Sequence, residues 1–257
     1  MTHLHAHGMT VRYGGTTVLH NVTLPALQPG SVTALIGPNA AGKSTLLRAL
    51  AGLGPLAAGE VWLADTRLDG MRRRDWARHV RYVPQLFGHS AALTVLDAVL
   101  VARLAGDLHV RAAAQDRTAA AEALVEVGIA HLAERPVTDL SGGQQQLVAL
   151  AMGLARPAPV LLLDEPTSAL DLRRQLELLN VARRVARDRN VILIAALHDL
   201  NLAIRHADSC ILMYDGRICA TGTPEDVILS AHSEGVYGVR LNKAETAAGR
   251  LLVEAEL

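Results

Sequence analysis

Eight consecutive residues, Gly37-Pro38-Asn39-Ala40-Ala41-Gly42-Lys43-Ser44, have the types and spacing to hold a polyphosphate. Glycines let backbone N–H groups turn inward around phosphate oxygens. Thr45 and the Leu46–Leu50 run continue as a helix, whose start offers unpaired N–H groups and the positive end of a dipole. In this arrangement Lys43 reaches the β- and γ-phosphates of a nucleotide such as ATP, and the Ser44 hydroxyl takes Mg²⁺. Ala40 carries a Cβ where glycine would be more permissive, and reads as a tolerated variant. The plain alternative is a glycine turn before an ordinary helix. The apolar strand ahead of the loop and the helical run behind it favour the phosphate reading.

A second cluster lies 120 residues further on. The apolar run Val160-Leu161-Leu162-Leu163 delivers Asp164 and Glu165 at its end, followed by Pro166. Ligands gather at the carboxyl ends of strands in parallel sheets. Asp164 is placed to hold Mg²⁺ through water, and Glu165 to orient and deprotonate an attacking water. Together the two clusters outline hydrolysis of a nucleoside triphosphate.

The elements that must position them follow from the apolar patterning. Val32–Ile36, Val160–Leu163 and Val191–Ala196 are apolar or nearly so at every position. They predict strands buried on both faces, in a parallel sheet flanked by helices. Cys210–Tyr214 predicts another strand, with Asp215-Gly216 as a turn. Leu172, Leu176, Leu179 and Val185 form a helical stripe over about 172–188. Residues 94–155 are helix-like almost throughout. About 9–35, with Gly14-Gly15 and Pro29-Gly30, suggests antiparallel strands and turns; the stretch from about 231 is mixed.

Composition narrows the function classes. The chain has 257 residues, half of them apolar, with a formal net charge of zero. That balance argues against a general nucleic-acid binder. Two cysteines, Cys210 and Cys219, make neither a disulfide scaffold nor a zinc cluster, and read as small core residues of a protein in a reducing cytoplasm. No apolar stretch is long enough to cross a membrane, and no signal peptide is expected. His3, His5 and His7 suggest a solvated tail rather than a metal site. Arg72-Arg73-Arg74 reads as a solvated surface, with contact to anionic lipid as the sharper alternative.

Leu140-Ser141-Gly142-Gly143-Gln144 then supplies a resemblance. It is similar to the LSGGQ signature of ABC ATPases, it precedes the acids as it does in that family, and the resemblance covers nearly the whole chain. On the residues alone, Ser141 can cap a helix beginning at Gln144 through an S-x-x-Q capping box. The resemblance implies more: that this helix start, Ser141 to Gln144, faces the γ-phosphate of ATP bound to a second copy in a head-to-tail dimer. It also implies that Tyr13 stacks on adenine, with a core or surface tyrosine as the alternative. Gln85, in Tyr82-Val83-Pro84-Gln85, links Mg²⁺ and water to a transmembrane partner. Asp171, in Ser168-Ala169-Leu170-Asp171, crosses the dimer interface, and His198 contacts the γ-phosphate. Two departures are the run Gln144-Gln145-Gln146, where a basic residue is common, and Ala196-Leu197 before His198, where Thr or Ser is common. Neither touches an assigned catalytic atom.

The fold implied is α/β: a P-loop NTPase (RecA-like) core with an antiparallel β subdomain and a helical ABC-specific insertion, in one domain over 1–257. Its expected parts are a core of about 1–85 and 156–230, a helical subdomain of about 86–155 and a C-terminal tail of about 231–257. The function implied is an ATP hydrolase at the cytoplasmic face of the inner membrane, held there by transmembrane permease subunits that a substrate-binding protein feeds. Segments 170–176, 222–226 and 236–239 resemble importers of iron–siderophore, haem or cobalamin. Leu86-Phe87 and Leu93–Leu96 are expected either to meet the permease, with Phe87 against one of its cytoplasmic helices, or to be core. The rival functions are a soluble ABC ATPase of a cytosolic assembly system, such as iron–sulfur cluster biogenesis, and a small-molecule kinase.

Overall fold

The computed structural model describes residues 2–85, 93–105, 113–168 and 170–257. The chain opens with β1 (Leu4–Tyr13) and β2 (Thr16–Leu27), an antiparallel hairpin turned at Gly14-Gly15. With β4 (Leu56–Leu63) and β5 (Thr66–Arg67) they form a four-stranded sheet of order β2-β1-β4-β5. Here the expected solvated tail is overturned. His5 pairs with Trp62 and His7 with Glu60, and the rings of His3 and His5 stack with centroids 5.1 Å apart. The reason is the two-residue period: Leu4 and Ala6 are buried, which fixes the register and places the histidines on the opposite face. Among the described residues no group of three or more His, Cys, Asp or Glu is placed to hold a metal ion.

The second sheet has six strands: β3 (Val32–Ile36), β6 (Val80–Val83), β7 (Val160–Leu163), β8 (Ile192–Ala196), β9 (Ser209–Tyr214) and β10 (Arg217–Gly222), in the order β10-β9-β3-β8-β7-β6. Four of its five pairings are parallel; the fifth, β10 on β9, is an antiparallel return through Asp215 and Gly216, both at positive φ (46° and 66°). Strands β3, β7 and β8 are buried at every residue, as an apolar parallel strand between two layers must be. Successive side chains enter different cores. Leu161, Leu163, Leu193 and Ala195 join one, while Val160, Leu162, Ile192 and Ile194 join the other. The latter core also takes α1 (Lys43–Leu50), the first sheet and Trp76 of α2 (Arg73–Trp76). Arg72, Arg73 and Arg74 are exposed there.

The other core is covered by helices. In the stretch expected to be helical lie α3 (Val95–Leu104), α4 (Ala114–Glu126), two short 3₁₀ turns and α5 (Gly142–Leu154). Of the proposed docking patch, Val95 and Leu96 point inward and are core, because Thr94 caps α3 and turns its first apolar residues onto α4 and α5. Leu86 and Phe87 lie outside the described residues. Helix α6 (Leu172–Asp188) buries Leu179 and Val185 and half-covers Leu176, but Leu172 is 78% exposed. At 100° per residue Leu172 shares the face of Leu179, yet nothing among the described residues covers that first turn. After α7 (Leu200–His206) come α8 (Pro224–Ile228), α9 (Ala231–Tyr237) and a hairpin of β11 (Arg240–Glu245) and β12 (Leu251–Glu256). Asn201 of α7 bonds both backbone groups of Val253 and so pins this hairpin to the domain. Cys210 is buried in β9, where its thiol is pushed up to about 12 by burial, and Cys219 is half-buried in β10. No helix among the described residues is long and apolar enough to cross a membrane.

Candidate active site

The phosphate loop leaves β3 at Gly37, whose φ is 144°; a Cβ there would lie 2.2 Å from the Met213 carbonyl oxygen, so glycine is required. Ala40 sits at φ 64°, in the left-handed region, and a non-glycine residue held there costs about 1–2 kcal/mol. Gly42 precedes α1 without any side-chain cap, which leaves the first N–H groups of the helix open to an anion. Lys43 is buried, and its Nζ donates to the carbonyl oxygens of Gly37 (2.7 Å) and Pro38 (2.9 Å). Burial lowers its pKa, and the negative charges of Glu165 and Asp164 act the other way. Asn39 to Thr45, with Val18 and Glu165, line a cleft of about 580 Å³.

Strand β7 brings Asp164 to the same place. Its Oδ1 accepts from the Ser44 hydroxyl at 2.8 Å and its Oδ2 from the Tyr82 hydroxyl at 2.7 Å. Burial first, then this bond, push the Tyr82 phenol up to about 12, and Arg48 donates to the same oxygen at 3.2 Å. A hydroxyl and a carboxylate oxygen in contact are the hard donors that Mg²⁺ takes, so the residues fit that ion. Glu165 follows at φ 48°, a strained backbone conformation that must be held by its surroundings. Its two oxygens are gripped separately: Oε2 accepts from Gln85 Nε2 at 2.7 Å, and Oε1 lies 2.6 Å from His198 Nε2. Gln85 also donates to the Ser168 hydroxyl at 3.2 Å.

Lys43, Ser44, Gln85, Asp164, Glu165 and His198, from four different parts of the chain, therefore converge. Asn39 to Thr45 line the same cleft, whereas Tyr13, Ser141 to Gln144 and Asp171 do not join them. Tyr13 is 44% exposed at the end of β1. Ser141 caps α5, which begins at Gly142 rather than Gln144 because the cap itself stands outside the helix; Gln144 N donates to its hydroxyl (3.4 Å) and Ser141 N donates to Gln144 Oε1 (3.0 Å). Ser141 and Gly142 are exposed. Asp171 caps α6, accepting from Arg174 N at 2.9 Å.

Three participants were not anticipated. Tyr82 and Arg48 support Asp164, and the only sequence signal was the place of Tyr82 in the strand leading to Gln85. Gln146, 8% exposed, donates its side-chain amide to the Gln85 carbonyl at 2.6 Å. The departure at Gln144-Gln145-Gln146 thus reaches the backbone of a site residue after all.

Comparison with known proteins accounts for this assembly. A family model described as ABC transporter matches residues 19–168. The ferric enterobactin transport ATP-binding protein FepC of Escherichia coli is 37% identical over 238 residues, 92% of this chain and 88% of its own. The hemin import ATP-binding protein HmuV of Bordetella bronchiseptica is 40% identical over 263 residues, 98% of this chain and 99% of its own. Among solved structures, a chain of an inward-facing ABC transporter of metal-chelate type superposes with TM-score 0.84 at 26% identity, covering 99% of this chain and 97% of that one. A bacterial ABC transporter cassette solved as a dimer gives TM-score 0.76 at 26% identity, over 86% and 98%. The chain belongs to the ABC transporter family, as an ATP-binding subunit whose hydrolysis of ATP powers import.

Proposed function

We propose that the residues gathered around Glu165 perform the hydrolysis, in two copies of this chain that close head to tail on two ATP molecules, and that the work drives uptake of an iron–siderophore, haem or cobalamin type of cargo. The observation that carries the catalytic part is the Glu165 carboxylate, held between Gln85 and His198 and one residue beyond the Ser44–Asp164 pair. Backbone N–H groups of Gly37 to Ser44, with Pro38, Asn39, Ala40, Ala41 and Gly42 shaping the loop and Thr45 continuing it, cradle the phosphates, and the Lys43 ammonium neutralises the β- and γ-oxygens. Ser44, Asp164 and Gln85 would hold Mg²⁺, which when bound offsets the charge that develops on the transferred phosphoryl group. Glu165 accepts the proton of the attacking water, and His198 donates a hydrogen bond to the γ-phosphate. Tyr13 stacks on adenine.

Each copy supplies Ser141 to Gln144 and Asp171 to the nucleotide of its partner. The exposure of Ser141, Gly142 and Asp171, and the absence of these residues from the lining of the cleft of their own chain, support that division. The chain acts as a single domain over 1–257, with the helical part of about 86–155 facing transmembrane permease subunits that hold it at the cytoplasmic face of the membrane. A substrate-binding protein then acts only indirectly. The import roles of FepC and HmuV support the cargo class, and disfavour a cytosolic assembly role.

Glu165→Gln is the test. Loss of a general base costs about 10²–10⁴ in rate, so hydrolysis should fall by that factor while ATP still binds and accumulates a closed dimer, seen by light scattering. Hydrolysis near the wild-type rate would refute the assignment. For the cargo, stoichiometric co-purification with a permease from detergent-solubilised membranes is expected, and recovery of soluble partners alone would refute import.

A further inference from the structure

We propose that Gln146 is a positioning residue that ties the signature helix α5 to the water-activating glutamate. The proposal rests on the roles given above to Gln85 and Glu165. All three glutamines at the start of α5 are engaged, each differently. Gln144 closes the capping box with Ser141. Gln145 donates to the carbonyl oxygens of Val137 (3.4 Å) and Leu140 (3.2 Å), fixing the helix to the segment that leads into it. Gln146 turns the other way, from within the core, to the Gln85 carbonyl at 2.6 Å. Gln85 in turn places its own amide 2.7 Å from Glu165 Oε2.

The result is a continuous path of hydrogen bonds and covalent bonds: Ser141, first turn of α5, Gln146, backbone of Gln85, side chain of Gln85, Glu165. The links to the Gln85 carbonyl and to Glu165 are short, 2.6 and 2.7 Å, and both are part-buried, where a hydrogen bond is stronger and a missing one more costly than in water. Ser141 is the end exposed toward a second copy, and Glu165 is the end that does chemistry. Docking of α5 on the partner's nucleotide therefore sets the orientation of Gln85, and through it the pose of the base. Coupling of this kind requires a physical chain of contacts whose removal changes the equilibrium at the far end.

The full-length protein with MgATP tests this. Gln146→Met keeps the volume and loses the donor; Gln146→Glu keeps the shape and reverses the polarity, and stands in if the first variant does not fold. Either should lower kcat about threefold to tenfold, the loss of one ordinary hydrogen bond, with KM for ATP within twofold and a melting temperature lowered by only a few degrees. The decisive measurement adds Gln85→Ala. If Gln146 acts through Gln85, Gln146→Met on that background lowers kcat no further. An equal further loss there, or an unchanged kcat in the single variants, overturns the proposal while leaving the site assignment intact. If Gln85→Ala alone leaves kcat unchanged, the role of Gln85 falls, and the proposal with it.

Discussion

Tyr82→Phe removes one oxygen from the heart of the site and leaves the ring in place. The phenol donates to Asp164 Oδ2 at 2.7 Å, and Asp164 is 3% exposed, with the Ser44 hydroxyl as its other side-chain partner. A hydrogen bond to a charged group is worth about 1.5–3 kcal/mol, roughly twice a neutral one. Arg48, which also bonds the phenol, is exposed and regains water, so its loss adds little. A penalty of about 2 kcal/mol in a chain of this size lowers the melting temperature by about 4–8 °C. Thermal denaturation followed by circular dichroism, without nucleotide, reads it directly. A parallel titration should show the Mg²⁺ concentration for half-maximal hydrolysis rising, because Asp164 has lost the bond that fixes it. A melting temperature within 1 °C of wild type would refute the argument that Tyr82 holds Asp164.

Two further outcomes follow from the backbone and from burial. His206 is buried on α7 with neither ring nitrogen hydrogen-bonded to any described residue, and burial, assisted by Arg205 and Arg183, pushes its pKa down to about 4. The unfolded chain titrates it at its ordinary value near 6.5, so between these two values the unfolded state binds more protons. Stability is therefore full above about pH 6.5 and falls by roughly 3 kcal/mol as the pH drops toward 4. His206→Phe should flatten that part of a urea-denaturation profile, and an unchanged slope would contradict it. Ala40→Gly removes the cost of a side chain at φ 64° but loosens the unfolded chain by about 0.4–1 kcal/mol. The expected balance is a gain of between zero and about 1.5 kcal/mol in chemical denaturation, and a clear loss would show that the loop is unstrained at this position.

Much of the catalytic centre was legible because its signals are local. The phosphate loop, the two acids after Val160–Leu163 and the cap at Ser141 each lie within a few residues of chain, and their physics acts at that range. The strands β3, β7 and β8 were legible for the same reason, since burial on both faces leaves no polar residue to disguise them. What escaped depends on contacts across the chain. Tyr82 meets Asp164 across 82 positions and Gln146 meets Gln85 across 61, so no window of sequence contains both partners. The three histidines were misread because attention to the polar face of a strand hid Leu4 and Ala6 on the other. Leu172 obeys its helical period and is still uncovered, for periodicity says which face could be buried and not whether anything meets it. The C-terminal hairpin is fixed by separate side-chain contacts, Asn201 on Val253, Glu234 on Leu241 N and Glu225 on Lys243, with no local pattern around them.

The six-stranded sheet divides the interior so that neighbours in one strand belong to separate compartments. Leu162 backs the phosphate loop and α1, whereas Leu161 and Leu163 back the helical layer. Substitutions on one side thus need not be answered by substitutions on the other, because the backbone of β7 stands between them. This is modularity in a material sense. Such a fold can accept changes in its helical compartment while the compartment that braces the phosphate loop stays as it was.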